Sequence, residues 1–313
     1  MYCIKILSLR IKITGYMMKG DFMDQIKLKA LAKINLGLDV IRKREDGYHE
    51  VRMIMQTIHL YDKLHIVKQK ESGIQITSNL SYVPTNENNL VYKAGKLLMD
   101  EFDIKEGVSV DLVKRIPVAA GMAGGSSDAA AMLYGMNEIF ELGLTRRQLM
   151  ERGVKIGADV PYCLMRGTAL AEGIGEKLTQ LPPMVKCPVL IAKPQISVST
   201  KFVYENLKLT EEMNHPNIDA LLQDIEDGDL QAIANGMGNV LESVTIPHYP
   251  IIAQIKENMM KNGAINSMMS GSGPTVFGLF ENEQTAKKAY RAMLESGLAK
   301  QVYLTTIYNN RIR

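Results

Sequence analysis

Residues 117–131 restrict the fold most, because three glycines and two serines directly precede an alanine-rich stretch. These residues are Gly121, Gly124, Gly125, Ser126 and Ser127. Glycine takes positive φ angles freely and lets a ligand approach the backbone. A helix that begins after such a loop directs its unpaired N–H groups and its positive dipole end at an anion. The segment therefore predicts a phosphate-binding loop that leads into a helix.

A simpler interpretation of this segment is a turn that caps an ordinary helix, because Ser126, Ser127 and Asp128 are all favoured N-cap residues. The segment lacks the Lys-Ser/Thr ending of a Walker loop. It also lacks the G-x-G-x-x-G spacing of the dinucleotide-binding fold. The loop alone thus favours phosphate binding but matches neither standard nucleotide motif.

Size and composition exclude several classes of protein. At 313 residues and 46% hydrophobic composition, the chain is long enough for two globular domains. The net charge of +3 is spread along the chain, which argues against a nucleic-acid-binding stripe or a membrane-surface patch. No apolar run reaches the roughly 20 residues needed to cross a bilayer. Three cysteines without C-x-x-C spacing favour a reducing compartment, so we expect a cytoplasmic protein with no zinc site. We also expect no obligate protein partner.

The N-terminal segment, residues 1–22, does not resemble a secretion signal. It is basic, and Lys5, Arg10 and Lys12 interrupt every candidate apolar core. Because the first well-patterned strand follows Met23, we expect residues 1–22 to be a non-native or disordered extension. Peptide mapping of natively expressed protein tests this expectation, and an abundant peptide from residues 1–16 would contradict it.

Hydrophobic periodicity predicts a β-rich first half and a second half with more helices. Strands are expected near 25–41, 51–68, 73–78, 108–113, 189–192, 264–269, 274–280 and 301–308, with a short extended stretch ending near 175. Helices are expected near 88–102, 126–140, 145–156, 199–207, 216–223, 228–241, 250–262 and 284–296. The proline-dense segment 181–188 predicts a linker. We therefore expect an α+β fold with two domains, residues 23–182 and 183–313.

Three separated segments together resemble the GHMP kinase superfamily. They are Ala32–Leu38, the loop at 117–131 and Ser270–Thr275. Two further motifs, Asp46-Gly-Tyr-His49 and Gly157-Ala-Asp-Val-Pro161, are similar to those of the branch that phosphorylates 4-diphosphocytidyl-2-C-methyl-D-erythritol. The resemblance covers residues 26–307. It implies a ribosomal-protein-S5-like nucleotide-binding domain followed by a ferredoxin-like α/β sandwich.

The resemblance implies an ATP-dependent kinase that uses Mg²⁺ and phosphorylates the 2-hydroxyl of that small molecule, in the non-mevalonate route to isoprenoid precursors. It places the catalytic base at Asp159 with Lys33 beside it. The implied ATP-binding residues are Asn89, Leu90, Lys114, Pro117, Ala119, Gly121, Met122, Ala123, Gly124, Gly125, Ser126 and Ser127. The implied acceptor-binding residues are Asn35, Tyr48, His49, Thr200, Tyr204, Gly271 and Gly273. Ser127 is the first candidate for a magnesium ligand, and Asp128 either holds metal-bound water or favours the helix dipole.

The pattern of residues adds two expectations to those of the resemblance. Alternation along residues 25–41 puts Lys33 and Asn35 on one side of a strand. Ala119, Ala120 and Ala123 stand where several members of the family that the chain resembles carry more glycine. We therefore expect less backbone freedom in this loop, without loss of phosphate binding.

Several of these residues also have an ordinary structural interpretation. Asp159 suits a helix N-cap, and Lys33 suits a solvated position on a strand. Asn89 suits a helix cap as well. Tyr204 would pack on an amphipathic helix, and Phe202 competes with it as the second aromatic residue around a cytosine ring.

Two other functions stay open at this point. A sibling kinase for homoserine, mevalonate or a sugar would share the loop but would not need a cytidine pocket. A catalytically silent binding module is the second alternative, because the first-domain fold of the superfamily resembles domains of nucleic-acid-binding proteins. Lys33 and Asp159, together with the lack of a basic stripe, argue against that module.

Overall fold

The computed structural model describes residues 23–210 and 213–309, so the expectation about residues 1–22 lies outside the described residues. The strands are β1 (Gln25–Lys43), β2 (His49–Gln69), β3 (Ile74–Ser78), β4 (Gly107–Val113), β5 (Thr168–Gly173), β6 (Lys177–Gln180), β7 (Pro188–Lys193), β8 (Gly238–Asn239), β9 (Asn266–Met269), β10 (Val276–Leu279) and β11 (Gln301–Thr306). The helices are α1 (Leu90–Glu101), α2 (Gly124–Ile139), α3 (Arg146–Gly153), α4 (Val160–Met165), α5 (Thr200–Asn206), α6 (Ile218–Asp227), α7 (Leu230–Gly236), α8 (Glu242–His248), α9 (Ile251–Lys261) and α10 (Glu283–Ser296).

A seven-stranded sheet organises the first half of the chain. Its main order is β3-β4-β2-β1-β8, and β5 joins β2 to β6. β2 is 21 residues long, which lets residues 51–56 pair with β5 while residues 63–69 pair with β4. Helix α2 packs on β1 and β2. The close approach needs Gly135, because a Cβ at that position would lie 2.4 Å from the Cδ1 atom of Ile66.

A four-stranded antiparallel sheet organises the second half. Its order is β11-β7-β10-β9, with β7, β9, β10 and β11 following one another along the chain. This arrangement is the ferredoxin-like topology, with α9 and α10 packed on the sheet. The expected α+β fold class is therefore confirmed, while the boundary near residue 183 stays a prediction. Within residues 23–210 and 213–309, no helix is both long and apolar enough to cross a membrane.

The structure differs from the sequence prediction at two places that matter for the site. The stretch after residue 159 contains the six-residue helix α4, with Pro161 in its first turn, before the strand β5 begins. Such a helix is too short to show a 3.6-residue period. The helix expected at 228–241 ends at Gly236, and the two residues of β8 pair in parallel with Gly37 and Leu38 of β1. That pairing depends on a strand about 200 residues away, so local periodicity cannot indicate it.

Candidate active site

A cavity of about 1070 Å³ is lined by residues from both halves of the chain. Its walls include the middle of β1, the glycine-rich loop before α2, the start of α4, the start of α5 and the loop between β9 and β10. Every residue that the resemblance implied lines this cavity except Met122 and Ser127. Distant segments of the sequence are therefore brought to a single site.

Two alanines supply the unusual backbone angles of the glycine-rich loop. Ala119 and Ala123 have φ angles of 50° and 54°, and Gly121 has 73°. Gly124 and Gly125 lie in the first turn of α2 and do not use the positive φ angles that glycine can adopt. Gly124 matters for space instead, because a Cβ there would lie 3.3 Å from the Lys114 ammonium nitrogen.

A bulge in β1 anchors the loop. The register of β1 against β2 shifts between Leu31 and Lys33. The Lys33 amide donates to the Met122 carbonyl oxygen at 3.2 Å, and the Ser127 hydroxyl donates to the Leu31 carbonyl oxygen at 2.8 Å. Met122 and Ser127 are almost fully buried, with 1% and 3% exposure. These two residues hold the loop against the sheet and do not face the cavity.

The glycine-rich loop also touches the loop between β9 and β10. A Cβ on Gly121 would lie 2.0 Å from the Ser270 carbonyl oxygen, so only glycine fits there. The Ser270 hydroxyl donates to the Gly121 carbonyl oxygen at 2.9 Å. Gly271 and Gly273 have φ angles of 57° and 87°, which also favours glycine. The close contact makes one continuous floor from the two loops.

Lys33 and Asp159 face the same cavity. Lys33 is 5% exposed, so it is not a solvated strand lysine, and its ammonium donates to the Asn35 side-chain oxygen at 2.7 Å. This bond confirms that Lys33 and Asn35 share one side of the strand. Asp159 occupies the N-cap position of α4 but makes no side-chain capping bond within the described chain. Its carboxylate therefore makes no hydrogen bond to the helix end.

The buried Cys163 thiol feels the charges of both Asp159 and Lys33. Burial raises the pKa of the Cys163 thiol, the Asp159 carboxylate raises it further, and the Lys33 ammonium opposes the rise. Both charges thus act on one buried neighbour.

A buried charge cluster lies under the nucleotide side of the loop. The Lys114 ammonium donates to the carboxylates of Asp62 and Asp128, and all three side chains are at most 5% exposed. Burial opposes the charge on Lys114, but Asp128 and Asp62 outweigh it and raise the pKa of the lysine. Burial raises the pKa of Asp128 well above its usual range, against the effect of Lys114. The Asp128 Oδ1 atom is buried without a hydrogen-bond partner among the described residues.

Asn89 has both of its expected placements. Its side-chain oxygen accepts from the Val91 amide at 2.9 Å and so caps α1, and its amide donates to the Pro84 carbonyl oxygen at 2.6 Å. The residue also lines the cavity, next to Leu90. Helix capping thus fixes the wall on which the resemblance places the adenine ring.

The aromatic residues of the expected cytidine pocket lie at the other end. The rings of His49 and Tyr204 are 5.1 Å apart and tilted by 42°, and Tyr48 is 61% exposed at the cavity edge. Phe202 instead packs edge-on against His248 and does not line the cavity. Burial, and after it the Asp159 charge, raises the pKa of Tyr204 to about 12. Of the two competing aromatics, Tyr204 is therefore the one available to a ligand.

Several residues of the cavity wall were not expected from the sequence. Among them are Lys43, Tyr82, Lys201, Glu205 and Ser272. Tyr82 lies in a turn and is 68% exposed, so no periodic pattern indicates it. The Ser272 and Thr200 hydroxyls are 2.8 Å apart. The nearness of Lys201 to the expected Thr200 was the only available signal for that lysine.

Known proteins are similar to this chain in both fold and sequence. The family model "GHMP kinases N terminal domain" matches residues 89–167, and "GHMP kinases C terminal" matches residues 218–299. A crystal structure of 4-(cytidine 5'-diphospho)-2C-methyl-D-erythritol kinase is 30% identical, with a TM-score of 0.79 over 91% of this chain and 100% of that one. Homoserine kinase from Cytophaga hutchinsonii shares the fold at 20% identity, with a TM-score of 0.75 over 95% and 98%. The chain has the fold of a GHMP kinase.

Relatives with higher sequence identity indicate which kind of GHMP kinase this chain is similar to. The 4-diphosphocytidyl-2-C-methyl-D-erythritol kinase of Lachnospira eligens is 58% identical over 91% of this chain and 99% of its own length. The protein of the same name from Lachnoclostridium phytofermentans is 57% identical over 92% and 99%. This chain belongs to the 4-diphosphocytidyl-2-C-methyl-D-erythritol kinase family.

Proposed function

We propose that the residues of this cavity transfer a phosphoryl group from ATP to the 2-hydroxyl of 4-diphosphocytidyl-2-C-methyl-D-erythritol. An ATP-dependent kinase activity follows from the family. The observation that carries the assignment of residues is that Lys33 and Asp159 share one cavity with the glycine-rich loop and with Tyr204. The enzyme makes a precursor of isoprenoids by the non-mevalonate route.

Asp159 accepts the proton of the attacking hydroxyl. As the new oxygen–phosphorus bond forms, the bond from the γ-phosphorus to the oxygen of the leaving ADP breaks, and the hydroxyl proton moves to the carboxylate. Lys33 orients the hydroxyl oxygen. The first turn of α2 directs N–H groups at the phosphates, which stabilises charge in a loose transition state.

The loop and its surroundings fit a magnesium ion that arrives with ATP. Such an ion neutralises phosphate charge when it is bound. The Asp128 oxygen without a partner and the Ser126 hydroxyl at the cavity wall are the residues that would hold it. Ser127 fits this role less well, because its hydroxyl already donates to the Leu31 carbonyl oxygen. Within the described chain, no group of three or more His, Cys, Asp or Glu side chains could hold a metal by itself.

The activity is tested by ATP turnover of the purified protein with magnesium. The cytidylylated acceptor is compared with homoserine, mevalonate, galactose and no acceptor. We expect turnover that depends on the cytidylylated acceptor. Turnover with another acceptor would agree with the GHMP kinase class but contradict the assignment of a cytidine pocket. Salt-sensitive RNA binding without turnover would support a silent binding module.

Tyr204→Leu is expected to raise the KM for the cytidylylated acceptor by about 10- to 100-fold, because one stacked base is worth about 1–3 kcal/mol. Phe202→Leu is the matched control, since Phe202 is on the same helix but packs against His248 outside the cavity. Steady-state kinetics with varied acceptor at saturating ATP measures both variants. Equal effects of the two substitutions would show that Tyr204 only packs the helix.

His49 is expected to make acceptor binding dependent on pH. Burial and the nearby Lys43 lower its pKa, so the folded state favours the neutral ring. This group's contribution to stability is present above its unfolded pKa of about 6.5 and is lost as the pH falls through the lower folded value. The acceptor KM should rise in that same acidic range as the ring gains a proton. A KM that rises equally in His49→Gln would contradict this role.

A further inference from the structure

Asn239 connects the two halves of the active site. It is the second residue of β8, and its strand partner is Leu38 of β1. The next polar residue back along β1 that faces the cavity is Asn35, which bonds to Lys33. Asn239 therefore lies beside the strand that carries the lysine, although about 200 residues separate them along the chain.

The Asn239 side chain uses three of its hydrogen-bonding positions. Its amide donates to the Met269 carbonyl oxygen at 2.8 Å and to the Gly271 carbonyl oxygen at 2.8 Å. Its side-chain oxygen accepts from the Leu241 amide at 3.0 Å. The residue is 8% exposed. Because buried amides need such partners, the side chain fixes both the loop carbonyls and itself.

The carbonyls that Asn239 holds belong to the loop that forms half of the cavity floor. A Cβ on Gly271 would lie 3.3 Å from the Gly121 carbonyl oxygen and 3.8 Å from the Asn35 side-chain oxygen. The Ser270 hydroxyl donates to that same Gly121 oxygen. A shift of this loop would therefore move the glycine-rich loop relative to the residues of β1.

Glu242, three residues after Asn239, supports the end of β9 just before this loop. One of its carboxylate oxygens accepts from the Met269 amide at 2.7 Å, and the other binds the Lys256 ammonium at 2.5 Å. Asn239 and Glu242 thus hold Met269 from both its carbonyl and its amide. Within the described chain Glu242 has no hydrogen bond to Gly271, whereas Asn239 bonds directly to that residue of the cavity floor.

We propose that Asn239 is a positioning residue for phosphoryl transfer, because it sets the loop at Gly271 in register with Lys33 on β1 and with the glycine-rich loop. This inference rests on the proposed function of the cavity. Phosphoryl transfer depends on in-line alignment of acceptor and donor, and a misplacement of about 1 Å costs about 100-fold in rate. Asn239 does not touch the cavity, so its effect is on alignment.

The test compares Asn239→Ala and Asn239→Asp with Ser267→Ala. Asn239→Asp keeps the acceptor for Leu241 but loses both donors. Ser267 is the control, because it is buried on β9 and donates to the Lys256 carbonyl oxygen at 3.0 Å without contacting the loop. We measure kcat, acceptor KM and ATP binding well below the unfolding temperature of every variant.

Both Asn239 variants are expected to lose about 10- to 100-fold in kcat with little change in the Kd for ATP. Ser267→Ala should keep the wild-type kcat even if its unfolding temperature falls. A kcat loss in Ser267→Ala that scales with lost stability in the same way as in Asn239→Ala would overturn the proposal. So would a wild-type kcat in Asn239→Ala.

A double-mutant cycle with Ser270→Ala gives a second readout. If Asn239 acts through the loop, the kcat losses of Asn239→Ala and Ser270→Ala should not add, because Asn239 holds the Gly271 carbonyl and Ser270 holds the Gly121 carbonyl, and both variants loosen the same loop against the glycine-rich loop. Additive losses would overturn the proposal. Each variant is compared with wild type on the acceptor that wild type uses, so a failure of the proposed substrate shows in wild type alone.

Discussion

Asp159→Asn is expected to lower kcat by about 10²- to 10⁴-fold, the usual contribution of a general base. The substitution preserves the shape of the side chain but removes the carboxylate that accepts the hydroxyl proton. Asp159 makes no capping bond to α4 within the described chain, so the variant loses only the attraction between the charge and the helix dipole, about 0.3–1 kcal/mol. The measurement is single-turnover phosphoryl transfer at saturating ATP and acceptor.

Binding assays and thermal unfolding are the controls for this variant. The Kd for ATP, the Kd for the acceptor and the unfolding temperature should stay close to wild type. Wild-type turnover in Asp159→Asn would show that Asp159 is not the general base. A variant that failed to bind ATP would show instead that the carboxylate supports the glycine-rich loop.

Lys114→Met is expected to destabilise the fold by about 3–5 kcal/mol, because it leaves two buried carboxylates without a cation. Asp62 is fully buried and Asp128 nearly so, and Lys114 is the ammonium that both carboxylates contact. Urea unfolding at neutral pH measures the loss of free energy. Burial already raises the pKa of Asp128, so that carboxyl gains a proton more easily when the lysine is gone, and the loss should shrink as the pH is lowered.

Lys105→Met is the matched control for Lys114→Met. Lys105 also pairs with an aspartate, Asp103, but both side chains are at least 80% exposed. Exposed pairs contribute little, so this variant should unfold like wild type. A loss in Lys114→Met no greater than in Lys105→Met would mean that water reaches the cluster.

The sequence predicted the position of the glycine-rich loop but not which of its residues adopt positive φ angles. Glycine, serine and the following alanines are local signals, and α2 begins two residues from where they placed it. Which residues take positive φ depends on how the loop docks on the β1 bulge and on Ser270. Those contacts are tertiary, so two alanines hold the left-handed angles and two glycines do not.

The same limit explains the rest of the site. Lys33 and Asn35 were placed together correctly because strand alternation is local. Tyr204 and Phe202 are two residues apart on one short helix. Phe202 packs against His248, and this tertiary contact shows that Tyr204 is the one that faces the cavity. β8 is two residues long and had no local signal at all.

The pairing of β8 with β1 bears on how this gene could be divided. The proline-dense segment 181–188 looks like a natural point to separate two halves, but the first half would then lack the strand at Gly238 and Asn239. It would also lose the bridge between Ile58 and Ile307. Split reporters, domain swaps between related kinases and separately expressed fragments would therefore have to carry both halves together, because each half completes the hydrogen bonding of the other.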